Sequence, residues 1–431
     1  MIGQKEVTGY FKKYRASFSI YDDGEKITAQ IIKKSKYYTI QKLRKYYENN
    51  LLEVYSSLGE IFYDYHVKYI WYETENIITI YYDYRIEKYP ERECHKIIFE
   101  SKDINVFGQN REFLNGLYEG IDNNNIDFKK FEFEKNVIIR DKDYKLVIKN
   151  SIDSPFALDY IPSFSTRFSL ECIEAITELE IINIIKYVKV FISFCAKRKN
   201  IYLKRIELIS KNDDEIGEAF PYGNVYVYNN QQEHQFGKFV DNQMIKVDSI
   251  FDKIDKCFEM IDKNYLTMDF IPNETDSLIS QYVNITAWIQ SFFRTYAKTN
   301  SDYIVKNIDI LYANKLTKKG NNQKVSLNDI ISIIIGYTKE ILNEDYIKKC
   351  RGILNYFSYY DWINDFSKRI TTIRNDICHG HIEKNVSDYK FFVLDLKMVS
   401  VYLYAAILKF MEVSEENIKK GINQLFNRQD Y

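Results

Sequence analysis

Arg374, Asn375 and His379 are the residues of this sequence whose types and spacing suit chemistry on a phosphodiester. Arginine stays protonated and presents a planar fork of donors that matches phosphate oxygens, while histidine changes charge near neutral pH and can take up or release a proton. In RNA the nucleophile is available on the substrate as the 2′-hydroxyl. A cation to hold the phosphorane charge and a group that moves protons are then sufficient, with no carboxylate cluster and no metal. At about 100° per residue, Asn375 and His379 share a helix face one turn apart, and Arg374 reaches toward the same rim.

The element that must carry these residues is a helix. Ile363, Phe366, Ile370, Ile373 and Ile377 recur at steps of three and four and form one apolar stripe. Gly380 is the expected stop, since glycine most easily takes the left-handed conformation just past a helix end. His379 then sits in the last turn, at the negative end of the helix dipole, a position suited to a proton donor.

The order Arg-Asn-three residues-His, followed by Gly, resembles the RNxxxH signature of HEPN ribonucleases. The surrounding sequence resembles the C-terminal HEPN domain of ApeA-type bacterial anti-phage defence proteins. An earlier segment, Ile289-Gln290-Ser291-Phe292-Phe293-Arg294, is similar to that group's apolar-Glu-x-aromatic-x-Arg pattern, with Gln290 at the Glu position. The resemblance covers residues 245–431 well and the earlier ones more loosely. It implies a metal-independent endoribonuclease of abortive infection in which Arg374, His379 and Asn375 are catalytic and Gln290 and Arg294 are supporting. Two motifs would face each other across a two-fold axis in a homodimer or higher even oligomer. It also implies an N-terminal sensing domain that receives a phage-derived trigger, and RNA, with tRNA among the candidates, as substrate. The competing expectation is a non-catalytic HEPN-like module for protein interaction or nucleotide sensing.

Neighbouring residues have blander readings. His381 forms an HxH triplet with His379, a supporting position in the same site, but two histidines without a further ligand cluster argue for no metal. Cys378 points about 100° away from His379, so a Cys/His dyad is not expected and a buried or capping thiol is. Asp122-Asn123-Asn124-Asn125-Ile126-Asp127 lacks the Gly and distal Glu of a calcium loop and reads as a polar turn. His66, His95 and His234 show no partners in the sequence.

The 431 residues exceed one ordinary core and imply two domains. Hydrophobic residues at 45% and charged residues at 28% belong to a globular chain, and a net charge of −1 gives no global signal for nucleic acid. The six cysteines have no CxxC spacing, so neither zinc nor a disulfide framework is expected. The N-terminus lacks an apolar signal segment, and Phe391 to Met411, broken by Asp395, Lys397 and Lys409, reads as a core helix rather than a membrane span. A cytoplasmic protein without cofactors is the expectation.

No proline follows Pro272, and the long 3.6-period stretches there predict helices. The fold class expected is α+β, with a β-rich antiparallel domain over 1–240, sandwich or barrel-like, and a helical HEPN-like bundle over 241–431. In the first part, Tyr21-Asp22-Asp23-Gly24 signals a hairpin within Val7 to Ile32. Strands are expected at 52–57, 61–72, 76–84, 96–100, 131–140, 144–149, 202–210 and 224–228. A helix is expected over 177–197 with Leu179, Ile182, Ile185, Val188 and Phe191 inward. In the second part, helices are expected from Met244, then over 276–299, 327–342, 346–357, 360–378, 387–411 with Ser387 as N-cap, and 415–426.

Overall fold

A computed structural model describes residues 5–11, 17–22, 26–33, 51–56, 62–72, 77–88, 93–109, 132–153, 163–201, 203, 205–211, 220–227, 243–269, 271, 276–300, 306, 326–343, 346–347, 359–381 and 389–426. The chain divides into two compact units. One comprises Met1–Lys189 with Tyr202–Gln235, and the other Val190–Ile201 with Phe236–Tyr431.

The first unit is an antiparallel sheet of β1 (Lys5–Phe11), β2 (Ser17–Asp22), β3 (Lys26–Lys33), β4 (Leu51–Ser56), β5 (Phe62–Tyr72), β6 (Ile77–Lys88), β7 (Lys96–Glu100), β8 (Phe133–Ile139), β9 (Lys142–Asp153), β10 (Ser163–Glu171), β11 (Arg205–Ser210) and β12 (Phe220–Val227). The first six strands close on themselves in the order β3-β2-β1-β4-β5-β6, with β6 returning to β3. Closure leaves no free edges within that ring. Of the sandwich and barrel-like alternatives, the pairings make one continuous sheet with a barrel-like ring at its start.

Strand β6 is long enough to serve two partners along one side. Its Ile77–Tyr81 half pairs with β3, and its Tyr84–Lys88 half pairs with β12. Gly223 opposes Lys88 at this junction, where a Cβ would lie 1.9 Å from the carbonyl oxygen of Glu87. Only glycine lets the backbones approach so closely. From there an open sheet continues as β12-β11-β7-β10-β9-β8. The alternation of strand β6, with Ile80, Tyr82, Tyr84 and Ile86 buried, places its apolar face on the core.

The expected hairpin at Tyr21 to Gly24 is β2–β3, in which Asp22 faces Ile27. The run before it is two strands rather than one, because β1 turns back onto β2. Two elements had no expectation in the sequence: β10, and the helix α1 (Lys102–Gly108), whose N-cap Ser101 Oγ accepts from the Ile104 N–H at 3.2 Å. The helix α2 (Glu178–Ala196) matches the 177–197 expectation. Leu179, however, is 36% exposed and not on the inner stripe, whereas Ile181, Ile182, Ile184, Ile185, Val188 and Phe191 are buried.

The second unit is built on α3 (Val247–Ile250), α4 (Ile254–Asp262), α5 (Leu278–Asn300), α6 (Leu327–Thr338), α7 (Tyr359–Cys378), α8 (Tyr389–Phe410) and α9 (Glu415–Leu425). Helix α8 is buried on every side from Met398 to Leu408 and is the core helix that its apolar sequence suggested. Among the described residues no helix is long and apolar enough to cross a membrane.

Three aromatic pairs fix the direction of α5 against α8: Tyr282 stacks on Phe392, Trp288 meets Tyr404 edge-on, and Phe292 meets Phe410. Both residue numbers rise together, so these helices run parallel. Phe366 meets Tyr402 and Arg369 meets Asp395, so α7 runs antiparallel to α8.

The helical unit takes up the chain from Phe236 and also includes an earlier segment. Residues 190–201 belong to the helical unit, because Phe194 stacks on Tyr404 at 4.9 Å and its carbonyl accepts from the Tyr404 hydroxyl at 3.2 Å. Of the 346–357 helix only 346–347 are described; Ser387, His234 and the Asp122–Asp127 segment lie outside the described residues.

Candidate active site at the end of α7

Helix α7 forms as its stripe dictates, with Phe366, Ile370 and Ile373 buried and Ile377 half-buried. It ends at Gly380, whose φ is +76°. The Gly380 N–H donates to the Ile377 carbonyl at 3.2 Å and the His381 N–H to the Asp376 carbonyl at 2.8 Å. These are the two reverse bonds of a Schellman closure, which need a left-handed residue between them. His379 is therefore the last residue before the reversal, its own N–H donating to the Asn375 carbonyl at 2.9 Å.

At this terminus Arg374 is half-buried, and Asn375, His379 and His381 are exposed. The Arg374 Nη1 donates to Asn375 Oδ1 at 3.3 Å, so the amide holds the guanidinium at the rim that carries His379. The structure thus brings Arg374, Asn375, His379 and His381 to one end of one helix. Cys378 is exposed, contrary to the buried or capping thiol expected, because the apolar stripe faces away from it.

What aims this terminus is a polar clamp deeper in the bundle. Arg369 lies on α7, and its Nε and Nη2 each donate at 2.9 Å to the two carboxylate oxygens of Asp395 on α8. Asp395 is completely buried. A bidentate fork of this kind fixes both distance and rotation between two helices. Beside it, the Tyr282 hydroxyl of α5 donates to the Ile370 carbonyl at 3.3 Å. Burial, and then the charge of Asp395, drive the Tyr282 phenol far above its usual range, so it is a fixed neutral donor; Arg369 partly offsets this. Ser332 of α6 adds a hydroxyl contact to Ser367 at 3.2 Å. Arg369, Asp395 and Tyr282 escaped the sequence reading, although an acid inside the most apolar window was a signal for a buried ion pair.

No family model, curated protein or solved structure matches this chain. The site is therefore read from its own geometry.

Gln290 and Arg294 are not brought to it. Tyr282 of α5 is level with Ile370 of α7, and α5 runs parallel to α8 while α7 runs antiparallel to it. From that level, Gln290 is eight residues along α5 in one direction and His379 is nine along α7 in the other. At 1.5 Å per residue this separates them by about 25 Å along the bundle axis. Gln290 is half-buried between the buried pairs Trp288, Ile289 and Phe292, Phe293, and serves the packing of α5. Arg294 is one turn further from His379 on the same helix. Among the described residues no three His, Cys, Asp or Glu side chains group as metal ligands. What the terminus of α7 offers a substrate is a guanidinium, an amide and two imidazoles in reach of solvent.

Proposed function

We propose that this chain is a metal-independent endoribonuclease of the HEPN type, cytoplasmic and acting in anti-phage defence by abortive infection. The observation that carries the reading is Arg374, held by Asn375, at the same solvent-facing helix end as His379. Arg374 binds the non-bridging oxygens of the scissile phosphate and stabilises the charge that grows there. His379 moves the proton. The 2′-hydroxyl oxygen forms a bond to phosphorus as the bond to the 5′-oxygen breaks, leaving a 2′,3′-cyclic phosphate and a 5′-hydroxyl.

One imidazole serves as base and acid only in turn. Two protomers related by a two-fold axis supply both at once, so the active form is a homodimer or higher even oligomer. Single-stranded or looped RNA, tRNA included, fits an exposed site that needs unstacked nucleotides. The N-terminal unit receives a phage-derived trigger.

The test is incubation of the purified chain with total RNA in EDTA. The reading requires cleavage that Arg374→Ala and His379→Ala each abolish while the fold is retained. Intact RNA in the presence of trigger-activated wild type, or cleavage that survives both substitutions, would leave a non-catalytic phosphate-binding module as the better account.

A further inference from the structure

Strands β3, β5 and β6 lie side by side in the ring, and their two faces differ. Ile27 of β3 and Ile80 of β6 stand opposite each other in the register, and both are fully buried. Their neighbours by one residue project to the other face, because side chains alternate along a strand. On that face Trp71 of β5 pairs with Thr79 of β6, and Thr79 with Thr28 of β3. The next row is Tyr69, Tyr81 and Lys26 on the same three strands. Trp71 is 63% exposed, Thr28, Tyr81 and Lys26 are half-buried, and Thr79 is buried. Trp71 and Tyr81 are diagonal neighbours in this register, about 7–8 Å apart. The Lys26 ammonium lies 5.8 Å from the centroid of the Tyr81 ring.

A single exposed apolar side chain needs no explanation, but this indole adjoins a second ring that has a cation over it. Two planar side chains at this spacing, with an ammonium beside them, match the needs of an unstacked nucleic-acid strand. Each base lays its face on a ring, and the cation meets the backbone. We infer that this face of the ring binds single-stranded RNA, with bases stacked on Trp71 and Tyr81 and a phosphate at Lys26.

Other occupants fit the face less well. A peptide strand adds to an open sheet edge, and each of these three strands already has a partner on both sides. An apolar protein surface would meet the hydroxyl-bearing threonines next to Trp71. A saccharide also stacks on indole, yet its hydroxyls call for carboxylate acceptors, and Lys26 is the one charged residue of the two rows. Asp83, two residues beyond Tyr81 on β6, is engaged by Lys68 at 2.5 Å. That the strand is RNA rests on the ribonuclease reading. The stacking face lies in the unit that does not carry the α7 motif, so it holds a strand without acting on it.

The experiment is fluorescence anisotropy of the full chain, in EDTA, with a short labelled oligouridylate whose 2′-hydroxyls are methylated. This strand has no nucleophile for its own cleavage, so binding is read whether or not the chain is a ribonuclease. Saturable binding is expected. Trp71→Ala should weaken it by about tenfold or more, and Trp71→Phe, which keeps a ring, by less. Lys26→Ala should reduce the slope of log affinity against log salt by about 0.7, the loss of one phosphate contact on a single strand. Ile138→Ala, at an equally exposed apolar position on β8, should change neither. Indole emission of the wild type should be quenched on binding, and most of that quenching should be missing in Trp71→Phe, a readout that a merely structural role would not move. No saturable binding, equal losses in Trp71→Ala and Ile138→Ala, an unchanged salt slope in Lys26→Ala, or equal affinity for a duplex of the same length would each overturn the inference. Binding of the methylated strand through Trp71 by a chain that cleaves no RNA would overturn the ribonuclease reading and leave the stacking face standing.

Discussion

At the scale of single residues, Gly380 decides where α7 stops and hence where His379 points. An L side chain at its φ of +76° is strained, and the left-handed conformation costs roughly 1–2 kcal/mol for a residue with a Cβ. Gly380→Ala should therefore lose about 1 kcal/mol in urea denaturation, and Gly380→Asn less, because asparagine tolerates this conformation better. Loss of neither stability nor helix content in Gly380→Ala would show that the Schellman closure is not what ends the helix. Gly380 was legible in advance because a helix stop is local chemistry.

His66 was not, because its burial and its cationic neighbours come from other elements. Its folded pKa of about 4 lies below the ordinary 6.5, so between those values the unfolded chain binds a proton that the folded chain refuses. The sign is a stability present above about pH 6.5 that falls as the pH drops and is fully lost near pH 4, on the order of 1–3 kcal/mol. Carboxylates titrate in part of this window, so the comparison is with His66→Gln, whose stability should fall less between pH 6.5 and 4. Parallel curves for the two proteins would contradict the depressed pKa.

At the scale of elements, α7 was readable as a helix from its stripe, and that helix carries Arg374, Asn375 and His379 in its C-terminal turns. The Arg369–Asp395 fork was not readable, since it joins residues on two helices and only their antiparallel packing brings them together. The same packing removes Gln290 and Arg294 from the site, a separation that no pattern within α5 displays. Because Asp395 is fully buried, removing its partner leaves an unpaired carboxylate, whereas replacing both by apolar groups does not. Arg369→Leu alone should cost about 3–5 kcal/mol, and Arg369→Leu with Asp395→Leu should restore most of the loss. Additive single effects in the double variant would mean that the fork contributes no coupling between α7 and α8.

At the scale of the whole molecule, the α+β class and the helical second half follow from proline placement and apolar periodicity. The ring closed by β6 pairing with β3, and its continuation into the open sheet through β12, do not, because one strand serving two partners depends on long-range register. The assignment of residues 190–201 to the helical unit likewise rests on a distant partner, Tyr404. Assembly belongs to this scale too. If two copies of His379 share one cleft, titrating His379→Ala protein into a fixed amount of wild type, under conditions of subunit exchange, should depress activity as mixed dimers form. Constant activity in the presence of mixed dimers would show that each protomer acts alone.

The central claim is that Arg374 and His379 promote attack by the substrate's own 2′-hydroxyl. Mass spectrometry of the RNA ends produced in EDTA tests it most directly. A 2′,3′-cyclic phosphate and a 5′-hydroxyl, absent with His379→Ala, are predicted; 3′-hydroxyl and 5′-phosphate ends would contradict the account.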